Sequence, residues 1–128
     1  MKKKKVLIAS YNLDLGGIEK SLINLLNNMN YLKYDVTLIL EKKEGIFLDK
    51  INQNVKVIEY KVLSNKNILL RKIINFINRI KYILKHYHKY DFACCYATYS
   101  YPANMLAYYA SRNNVLYIHT NYKYVYDY

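Results

Sequence analysis

The chain alternates between short unbroken apolar runs and longer segments whose apolar residues recur every three or four positions. Val6, Leu7, Ile8 and Ala9 form the first run, the pattern of a central parallel strand covered on both faces. Ile18, Leu22, Leu25, Leu26 and Met29 follow at helical spacing, so one face of that segment can pack on a sheet. A second strand is predicted over 35–40, rich in β-branched and apolar residues. A short helix is predicted over 46–51, with Phe47, Leu48 and Ile51 on one side. The third strand, over 55–60, alternates apolar and charged residues, which places it near an edge.

A long helix is predicted from a cap at Ser64 or Asn65 to about residue 88. Leu69, Ile73, Phe76, Ile77, Ile80, Ile83, Leu84 and Tyr87 fill one stripe, the face by which such a helix meets its core. Basic residues lie around the rest. The fourth strand covers 91–96. Pro102 suits a first helical turn, and Ala103, Leu106, Ala107 and Ala110 give that helix a small-residue face. The fifth strand, over 115–118, leads into His119.

Alternating strands and helices imply an α/β, Rossmann-like parallel sheet with right-handed crossovers and helices on both faces. The expected strand order is 3-2-1-4-5. The ligand crevice of such a sheet lies outside the carboxyl ends, where the order reverses between strands one and four. The loops at that edge are 11–17, 41–45, 97–101 and 119–122.

At 128 residues the chain supports one domain, and at 53% hydrophobic residues it is not disordered by composition. No apolar run reaches the length of a bilayer span. Four lysines open the chain, but only Val6 to Ala9 follow before polar residues return, too short for a secretory signal, so a cytoplasmic location is expected. Cys94 and Cys95, the two cysteines, are neighbours in a strand and point to opposite faces, so they are expected to be small buried residues rather than a disulfide or a zinc site.

Net charge is +11 in a sequence crowded with Lys, Asn, Ile and Tyr. Its distribution is more informative than its size. Between Tyr60 and Tyr90 there is no Asp or Glu, while Lys61, Lys66, Arg71, Lys72, Arg79, Lys81, Lys85 and Lys89 all fall there. Two readings stand for this block. It is the solvated face of a surface helix, or it adheres to the anionic inner face of a membrane through Arg71, Lys72, Arg79 and Lys81. The 17 tyrosines show no platform spacing and no nucleic-acid motif occurs, so no nucleic-acid partner is expected. His86 and His88, two apart on a helix, point about 200° from one another and are expected on a solvated face, with no metal site.

Gly16 and Gly17 sit between the first strand and the first helix. Their N–H groups are unscreened by side chains, and a helix N-terminus attracts anions, so a phosphate can sit there. The plain alternative is a tight turn with no ligand. Glu41, at the end of the second strand, has the position of a ribose-binding acid in dinucleotide folds. The G-x-G-x-x-G fingerprint is absent, however, and a nicotinamide enzyme is set aside. Glu19, in the first helical turn, reads as a capping residue complementing the helix dipole.

The run S-Y-N-L-D-L-G-G-I-E-K-S-L-I-N-L-L after the first strand resembles the opening of the family-four glycosyltransferases and their GT-B relatives. The ending V-L-Y-I-H-T-N-Y is similar to the fifth strand of the same N-terminal domain, which often delivers a histidine into the cleft. The resemblance covers nearly the whole chain, 1–128, but only the acceptor-side half of such an enzyme; the donor-binding C-terminal half with its paired glutamates is not expected within these residues, so the chain is expected to be either a truncation or fragment or one half of a split enzyme. It implies transfer of a sugar from a nucleotide-sugar to a glycan or lipid-linked acceptor, with no metal or other cofactor. Gly16 and Gly17 would lie near the donor phosphates and His119 at the reacting end of the sugar; read without the resemblance, His119 is a satisfied strand-end histidine. Asn12, Tyr99, Ser100 and Asn121 are the acceptor-binding candidates. A separate C-terminal half would be a partner, and the chain alone is expected to be inactive. The competing class is a non-catalytic Rossmann-like module that binds a partner protein or an anionic membrane.

Overall fold

The computed structural model describes residues 2–60, 66–97 and 100–118. Five strands form one all-parallel sheet: β1 (Lys4–Ser10), β2 (Tyr34–Leu40), β3 (Lys56–Glu59), β4 (Phe92–Cys95) and β5 (Asn114–Leu116). Their order is β3-β2-β1-β4-β5, as the alternating pattern predicts. β1 is central and pairs over its whole length with β2, from Lys4 opposite Tyr34 to Ser10 opposite Leu40. On its other side it pairs with β4, from Val6 opposite Phe92 to Ala9 opposite Cys95. Parallel pairs need long crossovers, and α1 (Gly17–Asn28), α2 (Ile68–His86) and α3 (Tyr101–Ala110) supply three of them. The β2–β3 crossover carries only a single 3-10 turn at Leu48–Lys50, shorter than the helix expected there.

The period of two along each strand divides the core. Val6 and Ile8 of β1, with Val36, Leu38 and Leu40 of β2 and Cys94 of β4, pack under Leu22, Ile23 and Leu26 of α1. Leu7 and Ala9, with Ile39, Ala93 and Cys95, face the opposite way and pack under Ala103, Leu106, Ala107 and Ala110 of α3. The small residues of α3 let its backbone approach the sheet closely. Ser100 caps α3 by accepting from the Ala103 N–H at 3.4 Å, and Pro102 occupies its first turn. Cys94 and Cys95 thus lie on opposite faces, both free and buried. Burial pushes their thiols up to about 12 and about 11, so neither is a nucleophile at neutral pH.

The long helix departs from expectation. Its cap is Asn67, whose side chain accepts from the N–H groups of Leu69 and Leu70; Ser64 and Asn65 lie outside the described residues. The larger difference is its rotation. The stripe expected to face the core is turned outward: Leu69 is 70% exposed, Phe76 58% and Leu84 65%. Ile73, Ile77, Ile80 and Tyr87 are exposed with them, and of the eight residues only Ile83 packs against the core.

The physical reason lies in what the inner side of α2 meets. α3 already covers the centre of this face, and α2 flanks it, touching the core through Tyr82 and Ile83. Tyr82 packs edge-on against Tyr60 at 4.8 Å and donates its hydroxyl to the Glu59 carbonyl at 3.0 Å. Tyr60 donates to the Asn75 carbonyl at 3.4 Å. Amphipathic tyrosines, each with a carbonyl for its hydroxyl, therefore hold the helix instead of its aliphatic residues. Of the expected membrane-contact residues, Lys72 and Lys81 are exposed and Arg71 is half-buried. Arg79 turns toward α3, its guanidinium 5.0 Å from the centre of the Tyr101 ring.

His86 also differs from the expected solvated position, being buried beside Tyr82 and Tyr90. Its Nδ1 lies 3.0 Å from the Tyr90 hydroxyl, and its Nε2 has no hydrogen-bond partner among the described residues. Burial, reinforced by the charges of Lys85, Lys89 and Lys56, lowers its pKa from 6.5 to about 4. The ring is neutral in the folded chain and protonates more readily in the unfolded one. Stability is therefore full above about pH 6.5 and is lost as pH falls toward 4, by on the order of 3 kcal/mol. Urea denaturation at pH 7, 5.5 and 4 checks this: His86→Phe should lose less stability across that interval than the parent chain.

Candidate functional site

The reversal of strand order falls between β1 and β4, and the loops at their carboxyl ends define the candidate site. Gly16 is the N-cap of α1, with φ −170° and ψ 164°. That is extended backbone any residue adopts, so these glycines are not required by a strained turn. What distinguishes them is their surroundings. A Cβ on Gly17 would meet nothing within 4 Å, which leaves the helix start open to a ligand. A Cβ on Gly16 would lie 2.2 Å from Oε2 of Glu19. The Glu19 carboxylate therefore folds back over the first turn, a negative charge at the positive end of the helix dipole.

The glycine that the backbone does require is Gly45. Its φ is +125°, and a Cβ there would lie 2.1 Å from the carbonyl carbon of Leu13. Leu13 is fully buried; its N–H donates to the Glu44 carbonyl at 2.9 Å and its carbonyl accepts from Phe47 at 3.1 Å. The loop before α1 thus hangs on the loop after β2. Nothing in the sequence pattern marks Gly45 beyond its place in a polar turn.

Two polar pairs flank the opening. Asn12, buried, donates from Nδ2 to Oδ2 of Asp14 at 2.8 Å. Ser100, also buried, donates its hydroxyl to Oε2 of Glu41 at 2.9 Å. Glu41 follows β2 and Ser100 follows the β4 loop, so this contact reaches past the end of β1. The sequence places Asn12 and Ser100 here by their loops and singles out Glu41 at the end of the second strand, but it marks neither pairing. Tyr96 adds a third element. Its N–H donates to the Ala9 carbonyl at 2.8 Å, its hydroxyl lies 2.6 Å from Ser21 Oγ on α1, and its ring centre is 5.1 Å from that of Tyr117. In a chain with 17 tyrosines, nothing in the sequence singles it out.

His119, Tyr99 and Asn121 lie outside the described residues. Among the described residues, no group of three or more His, Cys, Asp or Glu side chains could hold a metal ion. A groove of about 500 Å³ runs along the α1 side of the sheet, lined by Val6, Ile8, Leu25, Met29, Phe92 and Cys94 among others, and does not reach Gly16 or Gly17. The candidate site is instead an open edge. It offers free backbone N–H groups beside carboxylate, amide and hydroxyl groups, which suits an anion next to a polyhydroxylated ligand. No family model matches this chain, and no curated protein and no solved structure matches it.

The Gly45–Leu13 clamp is testable by itself. Gly45→Ala should lower stability by roughly 3 kcal/mol, through a disfavoured φ and a backbone clash. Gly17→Ala should change it by less than about 1 kcal/mol. Chemical denaturation of the two variants compares them directly, and similar losses in both would refute the clamp.

Proposed function

We propose that this chain is the acceptor-side half of a GT-B glycosyltransferase, transferring a sugar from a nucleotide-sugar to a glycan or lipid-linked acceptor when joined by a donor-binding half. One observation carries the reading. The open start of α1 at Gly17 lies at the reversal point of a 3-2-1-4-5 sheet, beside the pairs Asn12–Asp14 and Ser100–Glu41. Carboxylates and amides already engaged in hydrogen bonds are oriented acceptors and donors for sugar hydroxyls. The resemblance of the Gly16-Gly17-Ile18-Glu19 run to family-four enzymes agrees with that chemistry.

In this reading the N–H groups at the start of α1 face the donor diphosphate. Glu19 holds that place with an internal carboxylate until the donor arrives. His119, the residue after Ile118, stabilises charge at the breaking glycosidic bond. Asn12, Ser100, Tyr99 and Asn121 orient the acceptor. No metal or organic cofactor enters the reaction, and the work is done on the inner face of a membrane in the cytoplasm. A second reading is a non-catalytic binding module, and the outward apolar face of α2 is the observation that favours it.

The phosphate claim is tested on the chain alone, by titrating isotope-labelled protein with inorganic pyrophosphate. The amide signals of Gly16, Gly17 and Ile18 should move most. Glu19→Gln should tighten the interaction a few-fold, since removing one negative charge at a helix N-terminus is worth about 0.3–1 kcal/mol. Gly17→Val should weaken it. Shifts elsewhere, or none, would remove the phosphate site. The enzymatic claim is tested by co-expression with a second Rossmann-like domain carrying E-x7-E from the same locus. Sugar transfer by the pair, lowered in His119→Ala more than donor affinity is, supports it; transfer by the 128-residue chain alone refutes it.

A further inference from the structure

α2 is 19 residues long, and therefore about 28 Å from end to end. Along its outer side Leu69, Ile73, Phe76, Ile77, Ile80 and Leu84 are between 41% and 70% exposed. At 100° per residue these six fall within roughly a third of the helix circumference. Lys72 borders that stripe on one side, and Lys81 and Lys85 border it on the other, all exposed. No acidic residue occurs anywhere in α2. The inward side is occupied by Tyr82, Ile83 and His86, so the helix is held to the domain without using its aliphatic face.

The charge continues past the end of the helix. Lys89 joins Lys2, Lys3, Lys4 and Lys5 around a surface hollow of about 350 Å³ at the amino edge of the sheet, with Asp91 as the acid among them. An aliphatic band with one exposed lysine on one side, two on the other and a lysine cluster at one end matches one kind of surface. Acyl chains take the band, and anionic headgroups take the ammonium groups, whose long stems let them reach outward from beside it. A second copy of the chain would bring lysine rim against lysine rim. A neutral bilayer would leave the lysines unmatched.

We infer that α2 is an interfacial helix that lies flat on an anionic lipid surface, with its Leu69-to-Leu84 stripe inserted among the acyl chains. No helix among the described residues is long and apolar enough to cross a membrane, so the contact is one of lying on the surface. This differs from adhesion by basic residues alone, in which Arg79 would take part; here Arg79 is spent on Tyr101. The inference stands on exposure and charge and does not depend on the glycosyltransferase reading.

The chain has no tryptophan, so Phe76→Trp gives a single reporter on the stripe and Ile46→Trp one on the exposed 41–47 loop. Each full-length variant is mixed with vesicles of phosphatidylglycerol and phosphatidylcholine in equal parts, and with phosphatidylcholine alone. The Phe76→Trp emission should shift to the blue on the anionic vesicles and be quenched by brominated acyl chains, while that of Ile46→Trp should not. In sedimentation, Ile73→Ser with Ile77→Ser and Ile80→Ser should lower binding at least tenfold, with helical circular dichroism retained. Lys72→Gln with Lys81→Gln and Lys85→Gln should lower it roughly tenfold or more at low salt. Equal binding to both vesicle types overturns the inference. So does an unshifted Phe76→Trp emission on bound protein, which would mean adhesion by charge without insertion. A concentration-dependent dimer that the three serine substitutions dissociate, with no vesicle binding, would assign the stripe to a second copy instead.

Discussion

Everything in this domain is arranged around the burial of β1. Leu7 and Ala9 are fully enclosed and Ile8 nearly so, with hydrogen-bonded neighbours on both edges of the strand. A strand in that position must be covered on both faces, and parallel neighbours must be joined by crossovers that leave and return over a face. α1 therefore covers one side and α3 the other, and the chain must reverse its direction of growth across the sheet. The reversal leaves the carboxyl ends of β1 and β4 without a connection passing over them. The opening beside Gly17 is thus a consequence of how the core is closed, and any ligand chemistry there is added to a gap the topology already makes.

The gap is polar in a specific way. Asp14, Glu19, Glu41, Glu44 and Glu59 all lie on loops or element ends at the carboxyl edge, five of the nine acids in the chain. A free N–H cluster alone would attract any phosphate, but these carboxylates, partly offset by Lys20, Lys42 and Lys43, weaken that attraction. The two tendencies are reconciled if the edge mainly recognises hydroxyl groups and tolerates an anion at one place, the start of α1. There the Glu19 side chain, a carboxylate lying over Gly16 at the positive end of the helix dipole, is the part that can move.

Most of this fold can be read in the sequence because burial has a period. The runs at 6–9, 36–40 and 93–95 have the length and composition of strands covered on two faces, and Ala103, Leu106, Ala107 and Ala110 those of a face that meets a close neighbour. The rotation of α2 cannot be read that way. Periodicity shows that a helix has an apolar side and a polar side; it does not say which one the protein uses. The deciding contacts are hydroxyl to carbonyl, Tyr82 to Glu59 and Tyr60 to Asn75, and these depend on the spacing of whole elements. The burial of His86 is hidden from the pattern for the same reason, since it travels with the inward side. Gly45 and Tyr96 are invisible because their importance comes from residues far away in sequence, Leu13 and Ser21.

The charges of the molecule are consequently sorted by the fold, and the sorting bears on how its two surfaces relate. The connection from β3 to α2 starts at the carboxyl edge, and α2 runs back to the amino edge, where Lys89 meets the lysines at and before the start of β1. One end of the basic, aliphatic face is thus close to the acidic carboxyl edge and the other lies at the far edge of the sheet. A negatively charged surface would attract α2 and the amino edge more than the carboxyl edge, where Asp14, Glu41, Glu44 and Glu59 stand beside Lys42 and Lys43, and that difference favours one orientation. An exposed aliphatic stripe is costly to keep in water, since each such side chain would contribute roughly 1.5–3 kcal/mol if it were removed from it. Burying that stripe inward would have required giving up the tyrosine contacts that seat α2 on β3. The rotation of a single helix therefore leaves an aliphatic stripe on the outside, while the topology of the sheet leaves an opening at its carboxyl edge.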